Sequence, residues 1–177
     1  MSSCGLPLLH GHVVVLRPMN DDEIDAVAER LATDPQVAPW FGIKPPVIAG
    51  WLKADSVNVY SIETEGTSAG IITFEEECDP DYRSAGIDIG LFSHAIGRGA
   101  GPDALRTLAA YLIDERGHHR LTIDPAAANV RAVRAYQKVG FRPVGVMRQY
   151  ERGPDGTWHD NLLMDMLASE LVRNDGA

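Results

Sequence analysis

Three groups of residues in this chain have types and spacings suited to chemistry. The first is Gly97-Arg98-Gly99-Ala100-Gly101, which follows an apolar run and opens a helical pattern. Glycines let main chain approach a ligand closely, and the free N–H groups of a first helical turn point at an anion. A strand, turn and helix of this kind suits a phosphate, with Arg98 as a nearby cation. It is not a P-loop, because no Gly-Lys-Ser/Thr ends it. Nor is it a Rossmann fingerprint, which has a different glycine spacing and lies near the first strand. Taken alone, a flexible connection between strand and helix remains the other reading.

The second group is acidic. Asp88 lies inside Ile87-Asp88-Ile89-Gly90-Leu91-Phe92, and aspartate is disfavoured within strands and seldom buried without a partner. A carboxylate there points to a ligand, with a cap or loop ion pair as the alternative. Asp124-Pro125 follows the next strand and carries the same two readings, whereas Asp160 on a later hairpin is solvated by default. The third group is Asn129-x-x-Ala132-x-x-x-Tyr136-x-x-x-Gly140-Phe141. Ala132 and Tyr136 share a helical face one turn apart, and Asn129 suits a helix cap. By itself Tyr136 reads equally as a core residue.

Other reactive types lack a setting. Cys78 has no activating His placed by sequence and reads as a bystander thiol. The six His match no zinc-binding spacing, so no metal is expected. Trp40, Phe41 and Trp51 either wall a cleft or pack in the core.

The elements that must position these groups follow from periodicity. His12 to Leu16 is a first strand ended by Pro18. Asn20 and Glu23 form a capping-box-like start to a helix that runs to Thr33. Asp34 to Pro46, with four prolines, is a structured loop or short helix pair. Val57–Ile62 and Ala69–Glu77 form a hairpin across Glu65-Gly66. The spacing then predicts a strand over Ile87–Phe92, a helix over Pro102–Arg116, a strand over Leu121–Ile123 and a helix over Asn129–Val139. A hairpin of Val144–Arg152 and Trp158–Leu167 closes the order, which is that of one α/β (α+β) domain. The domain is expected over 1–173, with 174–177 a frayed tail.

Together the glycine loop and the Asn129–Phe141 motif resemble the GNAT acetyltransferase superfamily over nearly the whole chain. The resemblance implies a mixed central sheet of about seven strands flanked by helices, with strands four and five splayed, and acetyl-CoA as co-substrate. It also implies that Gly97, Arg98, Gly99, Ala100 and Gly101 grip the pyrophosphate, and that Ile89, Gly90 and Leu91 bond the pantetheine through their backbone. Asn129, Ala132 and Tyr136 then contact the cofactor, with Tyr136 as the acid that protonates the thiolate. Ile96 departs from the Gln or Arg usual at its position, which removes one contact and leaves the backbone cradle. More narrowly, Gly86-Ile87-Asp88, Asp124-Pro125, the acidic run Glu75–Asp79, Trp40-Phe41-Gly42 and the Arg131/Arg134/Lys138 pattern look like the aminoglycoside 6′-N-acetyltransferases. That likeness implies Asp88 as base or amine anchor and Asp124 as a ligand for a drug ammonium; Trp40, as a cleft wall, and Asp160, before Met164 of the final strand, are the further acceptor candidates.

Composition bounds the alternatives. The chain has 177 residues, 45% hydrophobic, with 25 acidic and 16 basic residues and a formal net charge of −9. No basic run suits nucleic acid, and the excess acid suits a small cationic amine. No signal segment or membrane span is read, and two cysteines, Cys4 and Cys78, fit a reducing, cytoplasmic setting. A monomer or homodimer is expected. A protein N-terminal amine acetyltransferase, which the closing Gly156–Met164 segment also fits, and a non-catalytic acyl-CoA-binding domain stand as the alternative functions.

Overall fold

The computed structural model describes residues 5–41 and 44–173. Cys4, Gly42 and the expected tail at 174–177 lie outside the described residues. The strands are β1 (Leu9–His10), β2 (Val15–Pro18), β3 (Asn58–Thr64), β4 (Thr67–Glu77), β5 (Ser84–Leu91), β6 (Arg120–Ile123), β7 (Arg142–Arg152) and β8 (Trp158–Leu167). The α-helices are α1 (Asp21–Thr33), α2 (Ala38–Phe41), α3 (Pro45–Leu52), α4 (Ala100–Asp114) and α5 (Val130–Gln137). All eight strands join one sheet in the order β1-β2-β3-β4-β5-β6-β8-β7.

Local chemistry explains most of the boundaries. Asn20 N–H donates to Glu23 Oε2 at 3.0 Å at the start of α1. The Glu65-Gly66 turn has both residues at positive φ, 50° and 74°, which matches the twist of a two-residue hairpin. The 34–46 segment resolves into α2 and the start of α3, and the prolines Pro45 and Pro46 sit in the first turn of α3. Three expectations shift. The first strand lies at Val15–Pro18, three residues later than its β-branched run, and the two-residue β1 adds an eighth strand beside it. β5 begins at Ser84. α4 begins at Ala100, because Gly99 at φ 83° caps it and Pro102 falls in its first turn.

Two apolar clusters sandwich the sheet. One joins α1 and α3 to Val59, Ile71 and Phe92. The other joins α4 and α5 to Ile72, Phe74, Ile87, Leu121 and Met164. Ile71 and Ile72 are neighbours with opposite-pointing side chains, so the clusters occupy opposite faces. Ile71 is paired with Gly90 and Thr73 with Asp88, which places Thr73 and Asp88 on the α1–α3 face.

One pairing is unlike the rest. β5 and β6 run parallel and meet only at Ala85↔Leu121 and Gly86↔Thr122. Beyond them the chain leaves β5 and follows β8: Leu162 N–H donates to Pro125 O, and Ala127 N–H to Asp160 O. The edge of β5 from Ile87 to Leu91 thus has no strand beside it on that side, and the sheet opens there.

Candidate active site

The opening leads to a groove of about 590 Å³ on one side of the sheet. The open β5 residues Ile89, Gly90 and Leu91 form one wall and α5 the other, through Asn129, Ala132 and Tyr136. Gly97, Gly99 and Gly101 form its far end. Gly97 and Gly99 adopt φ of 79° and 83°, a conformation L side chains resist, and a Cβ on either would meet nothing within 4 Å. The glycines are therefore required by backbone shape, and their exposed main chain faces open space. With the unpaired N–H groups of the first turn of α4, this is a cradle for an anion.

Gly90 has a different reason to be glycine. An added Cβ would lie 2.8 Å from Phe41 Cε2 and 3.1 Å from Leu31 Cδ2, so its absence lets Phe41 rest on β5. Phe41 and Trp40 then form the roof where the groove enters the opening. Asn129 Oδ1 accepts from Ala132 N–H at 3.2 Å, the cap expected of it. Arg98 is exposed and does not line the groove, and the Ala100 methyl is buried in the core, so both face it with backbone at most. The groove's cations are instead Arg131, Arg134 and Lys138. Their i, i+3, i+7 spacing marks one helical face and was visible in the sequence.

Two smaller cavities of about 280 and 310 Å³ continue through the opening. The first shares Trp40, Phe41, Ile89, Asn129 and Tyr136 with the groove, and adds Asp88, Asp124 and Glu151. The second holds Glu75, Asp88, Asp124 and Glu151 beside Trp51 and Tyr150. Trp51, left open between wall and core, is both: it lines these cavities and packs half-buried against the α1–α3 cluster. Four carboxylates thus come together from β4, β5, the end of β6 and β7. Glu151 and Tyr150 had no functional signal in the sequence, since only tertiary structure brings the last hairpin here. Asp160 does not line these cavities; its carboxylate accepts from Gln149 N–H at 2.7 Å.

Asp88 and Tyr136 both line the cavity at the opening. Asp88 has no hydrogen bond or ion pair among the described residues. Its surface is reachable through the cleft mouth, yet it lies deep in the protein mass. Burial, then repulsion from Asp124, Glu75 and Glu151, pushes it up to about 7. Asp124 is raised by burial as well, against a hydrogen bond from Asn161. Asn161 Nδ2 donates to the Asp124 backbone O at 2.9 Å and to Oδ2 at 3.3 Å. Tyr136 is 8% exposed and packs edge-on to Phe141, and its hydroxyl has no hydrogen-bond partner among the described residues. Burial, reinforced by Asp88 and Asp124, holds its proton on well above the usual tyrosine range. A carboxyl group poised near neutrality and a phenol kept protonated line one cavity.

Known proteins share this design. Residues 14–142 match the model of the acetyltransferase (GNAT) domain. A kanamycin resistance protein of Rhizobium radiobacter is 36% identical over 84 residues, covering 47% of this chain and 72% of that protein. An aminoglycoside N(6′)-acetyltransferase type 1 of Klebsiella pneumoniae is 27% identical over 164 residues, covering 81% of this chain and 79% of its own. Among solved structures, Mycobacterium smegmatis RimJ in complex with CoA-disulfide superposes with a TM-score of 0.79 at 26% identity, over 95% and 89% of the two chains. Vibrio cholerae spermidine N-acetyltransferase in complex with CoA and spermine gives 0.74 at 16% identity, over 90% and 98%, a likeness of fold alone. GNAT enzymes use acetyl-CoA, and the glycine cradle, the open β5 edge and the α5 cations fit that co-substrate. No helix among the described residues is long and apolar enough to cross a membrane. The glycine loop, the parted strands and the tyrosine helix are shared features of one family, and this chain belongs to it: the GNAT acetyltransferases.

Proposed function

We propose that this chain is an aminoglycoside 6′-N-acetyltransferase, which acetylates one primary amine of a polycationic aminosugar by direct transfer within a ternary complex. The observation that carries this reading is the acid-lined cleft that meets the cofactor groove at Asp88 and Tyr136. Carboxylates bind ammonium groups through charge-assisted hydrogen bonds, and four of them suit an acceptor with several such groups. Acetyl-CoA supplies the acetyl group as a thioester. The Asp88 carboxylate takes the proton from the reacting ammonium, directly or through water, at a pKa matched to neutral pH. A backbone N–H of Ile89–Leu91 steadies the oxygen as it gains charge. Tyr136 Oη gives its proton to the departing sulfur. Gly97–Gly101, Asn129 and Ala132 hold the cofactor, and Asp124, with Trp40 as a wall, holds the acceptor. The work is cytoplasmic and confers drug resistance.

A second reading, acetylation of a protein N-terminus, draws support from the closing Gly156–Met164 segment, which also fits that branch of the family. A peptide N-terminus brings one ammonium, which leaves most of the four carboxylates unused. Thiol release should be measured with a kanamycin-type aminoglycoside, with spermidine and with short peptides. Turnover of the aminoglycoside with the highest kcat/KM is expected. Turnover of peptides alone would replace the first reading with the second, and CoA binding without turnover of any acceptor would leave a binding domain.

A further inference from the structure

Two features of the last hairpin are unused by the chemistry above: an irregular stretch of β7 and the carboxylate of Asp160. Met147 pairs with Asn161 and the next pair is Glu151 with His159, so β7 takes four steps where β8 takes two. Arg148, Gln149 and Tyr150 stand opposite Asp160 alone. Gln149 occupies φ 51°, unfavourable for a side chain of its kind. Its N–H donates to Asp160 Oδ1 at 2.7 Å. The backbone O of Asp160 also accepts from Ala127 N–H at 2.8 Å, on the loop that carries Asp124. One residue therefore ties the bulge to the Asp124 loop.

The bulge has a positional effect. Continued from Met147↔Asn161 in regular register, β7 would set Glu151 opposite Thr157, next to the hairpin turn. The two surplus residues set it opposite His159 instead. That is two residues nearer Asn161, which holds Asp124, or roughly 6–7 Å along the strand. Bulges beside functional sites commonly re-aim side chains in this way.

The place Glu151 reaches has open valences. It has no ion pair or hydrogen bond among the described residues, and it lines both cavities with Asp88 and Asp124. Thr73, 1% exposed, lines the same space, and its hydroxyl has no partner among the described residues. A hydroxyl without a protein partner, on a residue 1% exposed, beside the unpartnered carboxylates of Asp88 and Glu151 is a demand for a polar, cationic guest.

We infer that Glu151 binds an ammonium of the acceptor other than the one that reacts, and that Asp160 is a positioning residue whose bond to Gln149 sets the bulge that delivers Glu151. This deepens, and rests on, the reading of the cleft as a site for polycationic amines. Asp160 acts through the oxygen that accepts from Gln149, so its charge is dispensable; Glu151 acts through its charge.

The test compares a kanamycin-type aminoglycoside with a 6-amino-6-deoxyhexose, which presents a single amine of the same kind. Preference is read as the ratio of kcat/KM values, and KM and kcat are followed separately. Glu151→Gln should lower the preference about tenfold, through KM of the aminoglycoside. Asp160→Ala should lower it similarly, and the double variant Asp160→Ala/Glu151→Gln should be no worse than Glu151→Gln alone. Asp160→Asn keeps an acceptor for Gln149 N–H and should restore the wild-type preference. If Asp160→Asn instead loses preference as Asp160→Ala does, Asp160 is a direct charge partner and the positioning role is overturned. An unchanged preference in Glu151→Gln overturns the subsite while leaving the acetyltransferase reading intact. Calorimetry that finds no binding of any polycation to the wild-type protein overturns both. CoA affinity and melting temperature of each variant separate a misfolded protein from a misplaced side chain.

Discussion

The two halves of this active site are built on different plans. The cofactor side is made of main chain and small residues: glycines at positive φ, an open strand edge, and the first turn of a helix. Its parts fall in two short stretches, 89–102 and 129–138, and the phosphate cradle itself is a local backbone shape within the first. The acceptor side is made of charged and aromatic side chains from α2, α3, β4, β5, β7 and the end of β6. No two of its carboxylates are closer in sequence than Glu75 and Asp88. A shared co-substrate is thus held by geometry that a short motif can encode, and the acceptor by a convergence that only the whole fold produces.

Substitutions on each side should therefore fail in different ways. The largest effect is expected on the chemistry at their junction. Asp88→Asn should lower kcat by about 10²–10⁴-fold, the usual range for a positioned base. Asp88 must be ionised to take a proton, so wild-type kcat/KM should fall as pH drops through about 7, and Asp88→Asn should lose that limb. A variant that keeps the limb would move the base elsewhere. Next, Tyr136→Phe should lower kcat by roughly 10²-fold while CoA affinity holds; an unchanged kcat would remove its acid role.

Smaller losses belong to the cradle. Gly99→Ala places an L residue at φ 83° in open space, so strain alone opposes it. At about 1–2 kcal/mol, CoA affinity should weaken by roughly tenfold with acceptor KM little changed. Equal loss for both ligands would show that the halves are coupled through the loop. Smallest is an effect on stability, and its sign is opposite to that on activity. The folded protein keeps a proton on Asp88 up to about 7, whereas the unfolded chain releases it near 3.8. Stability from this group therefore declines as pH rises through that window. Asp88→Asn should melt a few degrees higher than wild type at pH 8, and the gap should close toward pH 4. A gap independent of pH would place its cause outside the ionisation.

Much of the cofactor side was legible in the residues. Gly97–Gly101, the Asn129 cap and the Tyr136 face were all read from spacing, and each depends on neighbours a few positions away. Asp88 was legible for another reason, since an aspartate within an apolar strand conflicts with its surroundings and marks a site. Glu151 and Tyr150 carry no such conflict, and Glu75 stands out only as part of the acidic run Glu75–Asp79. On hairpins and edges, polar residues are the norm, and nothing local distinguishes those that face a cleft. Asp160 shows the converse: solvation was its default reading and the acceptor its alternative, whereas its carboxylate accepts from a bulge that periodicity does not foretell. β1 leaves no mark in the sequence, because two residues are too few to show alternation.

The junction between β5 and β6 also governs how the protein can move. Three strands, β6, β8 and β7, are joined to the other five through only two residue pairs. The halves are held chiefly by side chains of the cluster under α4, which draws members from both. Widening the seam by a small rotation leaves nearly every backbone ladder whole and slides packed methyl groups instead. Ligands lodged on either side of this short joint would act as its wedge or its clasp.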